Sequence, residues 1–308
     1  MTPKRPPGPQ PADEILIICL KSPHSDDALG CVLKRTGEVS TLPQVITRVL
    51  KTANDPEASA DDLSRQIESD PALASRVLKI ANSAAVALRH RVHGLKQAVS
   101  LLGFSAVRNM AVTALVCDVF KKQLQIGPYS RRQLWDHMVS VGLTARMIGR
   151  RQGMDGPNEI FLAGLLHDLG IILEDQLDHE RFVVMMRRFP DSVTLCEAER
   201  LHLGYDHTQL GAAVAEKWNF SPMICEVIRH HHNPLAAGPH APVVACVELA
   251  NVMVTLHGIG SVGRPAHRIS PAVLKHLSLD RSELEVLVQQ MAGEIKTNRS
   301  LRSLIQAA

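Results

Sequence analysis

Six residues in the second half of the sequence have side chains that bind divalent metals, and they fall in four separate stretches. They are His137, the pair His167-Asp168, His207, and the pair His231-His232. Imidazole nitrogen combined with carboxylate oxygen suits iron, manganese or zinc, and a metal with an open coordination position can lower the pKa of bound water to make a nucleophile. Neighbouring helix residues point about 100° apart, so His167 and Asp168 can flank one ion only if other helices bring further ligands. The pattern therefore predicts a metal site built from several helices.

Each stretch also has a simpler interpretation when it is taken alone. His137 lies beside Trp135 and Asp136 and could be a partly buried histidine with one hydrogen bond. Asp206 could cap the helix that His207 begins. The run of three histidines, 230–232, could be a solvated helix end, where positive charge interacts favourably with the helix dipole. These alternatives stay open for the single residues, but the four stretches together favour a shared site.

The composition is that of a globular protein. The chain has 308 residues, of which 45% are hydrophobic and 21% charged, and this length predicts about two domains. No uninterrupted apolar run approaches the roughly 18 to 20 residues that a membrane span needs. The early run ILIICL (15–20) is short and lacks the layout of a signal peptide. We therefore predict a cytoplasmic protein with no membrane span.

Cysteines and charge argue against two further classes of protein. The six cysteines form no C-x-x-C motif, which favours buried, reduced thiols over disulfides or a zinc knuckle. The net charge is only +3 and aromatic residues make up 3% of the chain, so a platform for nucleic-acid bases is not expected. The local basic stretches, 89–96 and Arg150-Arg151, are better explained as solvated surface. Nucleic-acid binding is therefore a weak hypothesis.

The fold class predicted from the pattern is all-α. Residues 1–38 form an extension whose opening prolines predict partial disorder. From Leu42 the signals are helical: Ser59 lies three residues before Asp62 in a capping-box pattern, and Asp70 before Pro71 is a predicted N-cap. We predict an N-terminal helical lobe over 39–125, a second helical lobe over 126–260, and C-terminal helices over 261–308 that pack on the second lobe. The predicted helices of the second lobe are 131–153, 158–170, 177–188, 192–203, 206–218, 222–232 and 242–257.

Four longer stretches of the sequence carry a resemblance to a known family. In the first lobe they are LPQVITRVLKTANDPEASADDLSRQIESDPALASRVLKIANSA and LKQAVSLLGFSAVRNMAV. In the second lobe they are LGYDHTQLGAAVAEKWNFSPMICEVIRHHHNP and ACVELANVM. With these stretches the sequence resembles the HDOD family, a divergent branch of the HD superfamily of metal-dependent phosphohydrolases. The resemblance covers about residues 40 to 260. It implies an HD-like helical fold in the second lobe, and a role as a regulatory or scaffolding module of bacterial signalling.

The resemblance also implies a ligand set, and the sequence departs from it at two points. The superfamily's metal ligands correspond to the six residues named above, and its final metal-binding aspartate aligns with Asn251, whose neutral amide is a poorer ligand. The related cyclic-di-GMP phosphodiesterases carry H-D-x-G-K, whereas Ile171 stands in the place of that lysine, and no G-Y-P motif follows. No catalytic residue is assigned.

We therefore predict a non-enzymatic signalling module that binds a partner protein or a small regulatory ligand, with the groove between the two lobes as the favoured place. The metal ligands would be His137, His167, Asp168, His207, His231, His232 and Asn251, with iron, manganese or zinc as the cation. The alternative is a metal-dependent phosphohydrolase or phosphodiesterase acting on a nucleotide or cyclic dinucleotide.

Overall fold

The computed structural model describes most of the chain, and almost every element in that part is an α-helix. The described residues are 28–35, 42–55, 57–83, 86, 90–189, 193–260, 262 and 269–303. The first helices are α1 (Ala28–Arg35), α2 (Leu42–Asn54), α3 (Ala60–Glu68), α4 (Pro71–Ala81), α5 (Leu95–Leu102) and α6 (Phe104–Val119). A hairpin of β1 (Gln125–Ile126) and β2 (Tyr129–Ser130) follows.

The remaining elements are helices as well. They are α7 (Arg131–Arg151), α8 (Pro157–Leu166), α9 (Leu169–Leu177), α10 (His179–Arg187), α11 (Leu195–Leu203), α12 (His207–Lys217), α13 (Pro222–His230), the 3-10 turns Pro234–Ala236 and Gly238–His240, α14 (Ala241–Leu256), α15 (Pro271–His276), α16 (Arg281–Thr297) and α17 (Arg299–Arg302). The predicted all-α fold class is confirmed. Residues 1–27 and 36–38 of the predicted extension lie outside the described residues.

Local sequence signals start the first helices as predicted. Ser59 and Asp62 form a reciprocal capping box at α3, and Asp70 accepts hydrogen bonds from the backbone N–H groups of Ala72 and Leu73 at the start of α4. Asn82 follows α4 at φ −88°, so it needs no left-handed backbone. Its side chain instead exchanges two hydrogen bonds with the backbone of Val92, at 2.9 and 2.8 Å, and thereby closes the loop before α5.

Polar contacts join the first group of helices to the second at the N-terminus of α8. Asn109 on α6 donates from Nδ2 to the backbone oxygen of Asn158 at 2.8 Å. The adjacent Arg108 forms an ion pair with Glu159. These contacts fix the start of the helix that ends at the His167-Asp168 pair.

Two glycines let α7 and α8 cross closely. A Cβ on Gly164 would lie 2.9 Å from the Cα of Gly142, and a Cβ on Gly142 would lie 2.7 Å from the backbone oxygen of Phe161. Gly142 lies five residues after His137, and Gly164 three residues before His167. The close crossing of the two backbones therefore brings these two histidines together.

The structure corrects one predicted helix. Residues 158–170 do not form a single helix, because α8 ends at Leu166 and α9 begins at Leu169. His167 still has helical dihedral angles, but Asp168 leaves the helical region at φ −98° and ψ 18°. The pair therefore lies at a helix junction, where successive side chains are not held to the fixed helical rotation between neighbours.

The C-terminal helices pack on α7. Trp135 donates from Nε1 to the backbone oxygen of Arg302 at 3.2 Å, and Arg146 pairs with Glu294 at 2.8 Å. Leu287 and Met291 of α16 are buried in the same core.

One described stretch, Gly238–Leu256, is apolar and long enough to cross a membrane by length and composition. This differs from the sequence-based expectation, which counted only uninterrupted apolar runs. Of the apolar window in this stretch, 56% is buried inside the protein. The core helix of a globular protein meets the same criterion, and α14 contributes Val244, Val247 and Val254 to the core.

Glu248 on α14 predicts a pH dependence of stability. Burial raises the pKa of its carboxyl from 4.5 to about 7. The folded protein therefore keeps a proton that the unfolded chain releases, and the free energy of unfolding falls as the pH rises from 4.5 through 7. We expect Glu248→Gln, which resembles the protonated acid, to be more stable than wild type by about 1–3 kcal/mol at pH 8 and nearly equal to it at pH 4.5.

Urea unfolding at the two pH values measures this difference. The exposed Glu285, on α16, supplies the control, since Glu285→Gln should change stability by the same small amount at both. An equal effect of Glu248→Gln at pH 4.5 and pH 8 would contradict the prediction.

Candidate metal centre

Five of the predicted ligands meet in one buried cluster around the carboxylate of Asp168. His137 comes from the middle of α7, His167 and Asp168 from the junction of α8 and α9, His207 from the first residue of α12, and His231 from the residue after α13. Each of these side chains is buried, with an exposed fraction of 4% or less. The cluster therefore joins four helical segments that are distant in sequence.

The imidazole Nε2 atoms face the two carboxylate oxygens in pairs. His167 and His137 lie 3.2 and 3.7 Å from Asp168 Oδ2, and His231 and His207 lie 3.4 and 3.7 Å from Oδ1. Two overlapping groups could each hold a cation: His137, His167 and Asp168, and Asp168, His207 and His231. Asp168 is the member that both groups share.

Hydrogen bonds on the far side of three rings set their tautomers. Nδ1 of His137, His167 and His231 lies 2.7, 2.8 and 3.0 Å from the backbone oxygens of Ile259, Gly164 and Ile228, respectively. A carbonyl oxygen can only accept, so Nδ1 carries the hydrogen and Nε2 keeps its lone pair when the ring is neutral.

The Nε2 atoms of these three rings have no hydrogen-bond partner in the described part of the chain. They face Asp168, but outside hydrogen-bond geometry. Buried polar atoms are normally paired, and a ligating histidine normally donates its other ring nitrogen to a carbonyl or carboxylate. The residues present therefore fit a divalent cation.

Glu199 on α11 orients the fourth histidine, and sequence reasoning missed it. Its Oε2 lies 2.7 Å from Nδ1 of His207 and also accepts the backbone N–H of His207 at 3.0 Å. Glu199 is fully buried, as is Glu174 on α9 beside it. Burial, and then the charge of Glu199, raise the pKa of Glu174 well above its usual value, so Glu174 is the neutral member of the pair. No local pattern marks either residue as part of a site.

The electrostatics of the cluster depend on which rings carry a proton. Burial works to raise the pKa of Asp168, but the surrounding imidazoles, His167 foremost, outweigh it and hold that pKa well below its usual range. Burial lowers the pKa of His137 to about 4. Burial also works to lower the pKa of His207, but the Glu199 carboxylate outweighs burial and raises that pKa. Without a metal, His207 therefore holds the positive charge beside Asp168, and a bound cation would displace that proton.

Gly170 lets α9 approach the start of α12. A Cβ on Gly170 would lie 1.9 Å from the backbone oxygen of His207, and one on Gly211 would lie 3.0 Å from the backbone nitrogen of Gly170. The two helices touch backbone to backbone at this point. This contact brings His207 close to Asp168.

The last two predicted ligands lie at the edge of the cluster. Asn251 on α14 faces His137 and helps to raise the pKa of that ring, against the stronger effect of burial. The amide of Asn251 also accepts from Thr255 at 3.5 Å. His232 is exposed, and its Nε2 lies 3.2 Å from Nε2 of His207. Ile171, in place of the lysine, is fully buried in the core and faces no part of the surface.

This geometry defines an all-helical protein with an HD-type histidine and aspartate cluster, and comparison with known proteins gives the family. The model of the HDOD domain matches residues 39–234. The chain belongs to the HDOD domain family.

Solved structures support the same assignment. An HDOD domain protein from Geobacter sulfurreducens has a TM-score of 0.71 and 26% identity, over 92% of this chain and 98% of that one. A protein from Marinobacter aquaeolei, named as a candidate signal transduction protein, has a TM-score of 0.71 and 26% identity, over 89% of this chain and 61% of that one. A candidate phosphohydrolase from Shewanella amazonensis has a TM-score of 0.70 over 92% of this chain and 99% of that one, but at 21% identity it supports the fold alone.

A protein from Treponema pallidum, named only as uncharacterized, is 25% identical over 230 residues. The match covers 72% of this chain and 43% of that protein. This chain therefore spans less than half the length of that relative.

Proposed function

We propose that this protein is a regulatory HDOD module in which the buried cluster binds a divalent cation that stabilises the signalling-competent fold and does not hydrolyse phosphodiesters. The observation that carries the proposal is the convergence of three unpartnered Nε2 atoms on Asp168, each ring fixed through Nδ1. A cation held there would supply positive charge at the point where α7, α8, α12 and α13 meet. Iron, manganese and zinc all suit this set of nitrogen and oxygen ligands.

Two features of the cluster argue for a regulatory role over hydrolysis. The ligand side chains are almost completely buried, so a phosphodiester has little access to a cation between them. In the phosphodiesterase pattern a lysine would neutralise the charge of the substrate phosphate. Here the buried Ile171, which carries no charge, occupies that position. A partner protein or a small regulatory ligand would then bind to the conformation that the cation stabilises. The name of the Marinobacter aquaeolei relative is in keeping with signalling.

A metal-dependent phosphohydrolase is the second candidate function, and one observation favours it. Asp168 is shared by two groups of side chains that could each hold a cation. Two cations that share one carboxylate are a recurring arrangement in phosphatases and nucleases, where they supply Lewis acidity at the phosphate.

Metal content and turnover, measured on the same preparation, separate the two functions. The full chain is purified without chelator, analysed for bound metals, and assayed with bis(p-nitrophenyl) phosphate and with cyclic di-GMP. We expect about one or two equivalents of metal and no turnover above that of Asp168→Ala. The exposed His276, the last residue of α15 and a member of none of the metal-binding groups, supplies the control His276→Ala, which should retain the metal.

Turnover that requires metal and is lost in Asp168→Ala would establish the phosphohydrolase instead. Folded protein that binds no iron, manganese or zinc, even when the metal is added back, would refute the metal-binding role.

A further inference from the structure

A second group of metal-binding side chains lies on the solvent side of His207. Cys196, His207 and His232 each offer a ligand atom, and these atoms lie within 4.8 Å of one another. Cys196 is the second residue of α11, and its Sγ is 4.0 Å from Nδ1 of His207. Cys196 is half-buried, and His232 is exposed. A cation can therefore reach this group from solvent.

The separation of the two ring nitrogens is close to that in a tetrahedral zinc site. Bonds of about 2.0–2.1 Å to nitrogen and 2.3 Å to sulfur place two nitrogen ligands about 3.3 Å apart, and nitrogen and sulfur about 3.6 Å apart. The Nε2 atoms of His207 and His232 are 3.2 Å apart. Cys196 Sγ lies 4.0 Å from Nδ1 of His207, the ring nitrogen that contacts Glu199, and the three ligand atoms of the group lie within 4.8 Å of one another. To share a cation with Nε2 of His207, the half-buried thiol must turn toward that side of the ring.

The ligand chemistry differs from that of the buried cluster. A thiolate and two imidazoles favour zinc, cobalt or iron(II) over manganese, magnesium or calcium, which prefer oxygen. The buried groups each include the carboxylate of Asp168, and the outer group includes none. The two places should therefore select different cations.

We propose that Cys196, His207 and His232 form a surface site for a thiophilic divalent cation of the zinc class, with a fourth position open to water or a partner's side chain. Nε2 of His207 lies 3.7 Å from Asp168 Oδ1 on one side and 3.2 Å from His232 on the other. Since one lone pair serves one cation, occupation of the outer site removes His207 from the buried cluster. The outer site uses Cys196 and His232, neither of which belongs to the buried groups, so it does not depend on the function proposed above.

The alternative is a simple hydrogen bond from Nε2–H of the protonated His207 to Nε2 of His232. It accounts for the 3.2 Å contact without any metal, and it makes no use of Cys196. Thiolate coordination therefore separates the two explanations.

Cobalt(II) titration of the reduced, metal-free full chain tests the site, because a cobalt–thiolate bond gives a sulfur-to-metal charge-transfer absorption in the near ultraviolet that nitrogen and oxygen ligands do not give. We expect this absorption in the wild type, its loss in Cys196→Ser, and its weakening in His232→Ala. Addition of zinc should remove it. The control Cys31→Ser, which changes an exposed cysteine on α1, should keep it.

Asp168→Asn distinguishes this site from the buried one. It should keep the charge-transfer absorption even if the buried cluster binds nothing. The proposal is overturned if the wild type lacks the absorption, if Cys196→Ser retains it, or if Asp168→Asn abolishes it while folded.

Discussion

Replacing Asp168 by asparagine is expected to release the metal from the whole buried cluster, whereas removing one histidine is expected to release it only in part. The carboxylate is common to both groups of ligands, and all four imidazole Nε2 atoms face it at 3.2–3.7 Å. An amide of the same shape removes the negative charge that balances a dication. In protein loaded with manganese, which the site at Cys196 disfavours, bound metal should therefore fall from about one or two equivalents to near zero.

The same variant should lose the stabilisation that metal gives the wild type. A ligand that binds only the folded state at a thousand times its dissociation constant stabilises it by about 4 kcal/mol. Thermal unfolding with and without added manganese measures this, and Asp168→Asn should show no shift. His137→Ala should keep part of the shift, because His207 and His231 still face the other carboxylate oxygen.

Asp136→Asn is the matched control for this experiment. Asp136 is adjacent to His137 in sequence, but its carboxylate pairs with Arg302 at 3.2 Å and does not face the cluster. It should retain full metal content. Asp168→Asn protein that still binds a full complement of metal would show that the carboxylate is not a ligand.

Replacing Gly170 by alanine is expected to destabilise the fold and to move His207 out of the cluster. The new Cβ would lie 1.9 Å from the backbone oxygen of His207 and 2.7 Å from its Cα, and neither atom can turn aside as a flexible side chain could. The helices α9 and α12 must separate. Overpacking commonly costs 1–3 kcal/mol, and a clash with backbone lies at the upper end, so we expect a loss of about 3 kcal/mol or more.

Denaturant unfolding of Gly170→Ala gives the stability, and elemental analysis of the fraction that folds gives the metal. Gly293→Ala is the control, because Gly293 also lies inside a helix, α16, but nothing approaches its added Cβ within 4 Å. That change should stabilise the protein by about 0.5–1 kcal/mol through helix propensity. A Gly170→Ala protein as stable as wild type would mean that α9 and α12 do not need their close contact.

Part of the site could be predicted from the sequence, and part could not. The ligating types could be named from the sequence, since histidine and aspartate carry their chemistry wherever they lie. Glu199, by contrast, lies on the helix before His207 and looks like any helical glutamate in the sequence. Its role depends on the fold, which buries the Glu199 carboxylate against the backbone N–H and Nδ1 of His207.

The all-α fold class, and the helix starts at Ser59 and Asp70, follow from the sequence because periodicity and capping act within a few residues. The break between α8 and α9 could not be predicted in this way, because apolar residues lie on both sides of His167-Asp168 and no proline marks the junction. The approach of His137, His167 and His207 to one carboxylate depends on Gly142, Gly164 and Gly170, at which backbones approach within contact distance. A glycine that permits such contact has no signature in one sequence, because its partner lies on a distant helix. The tertiary structure alone determines that these histidines lie around Asp168, since the packing of the helices determines which backbones touch.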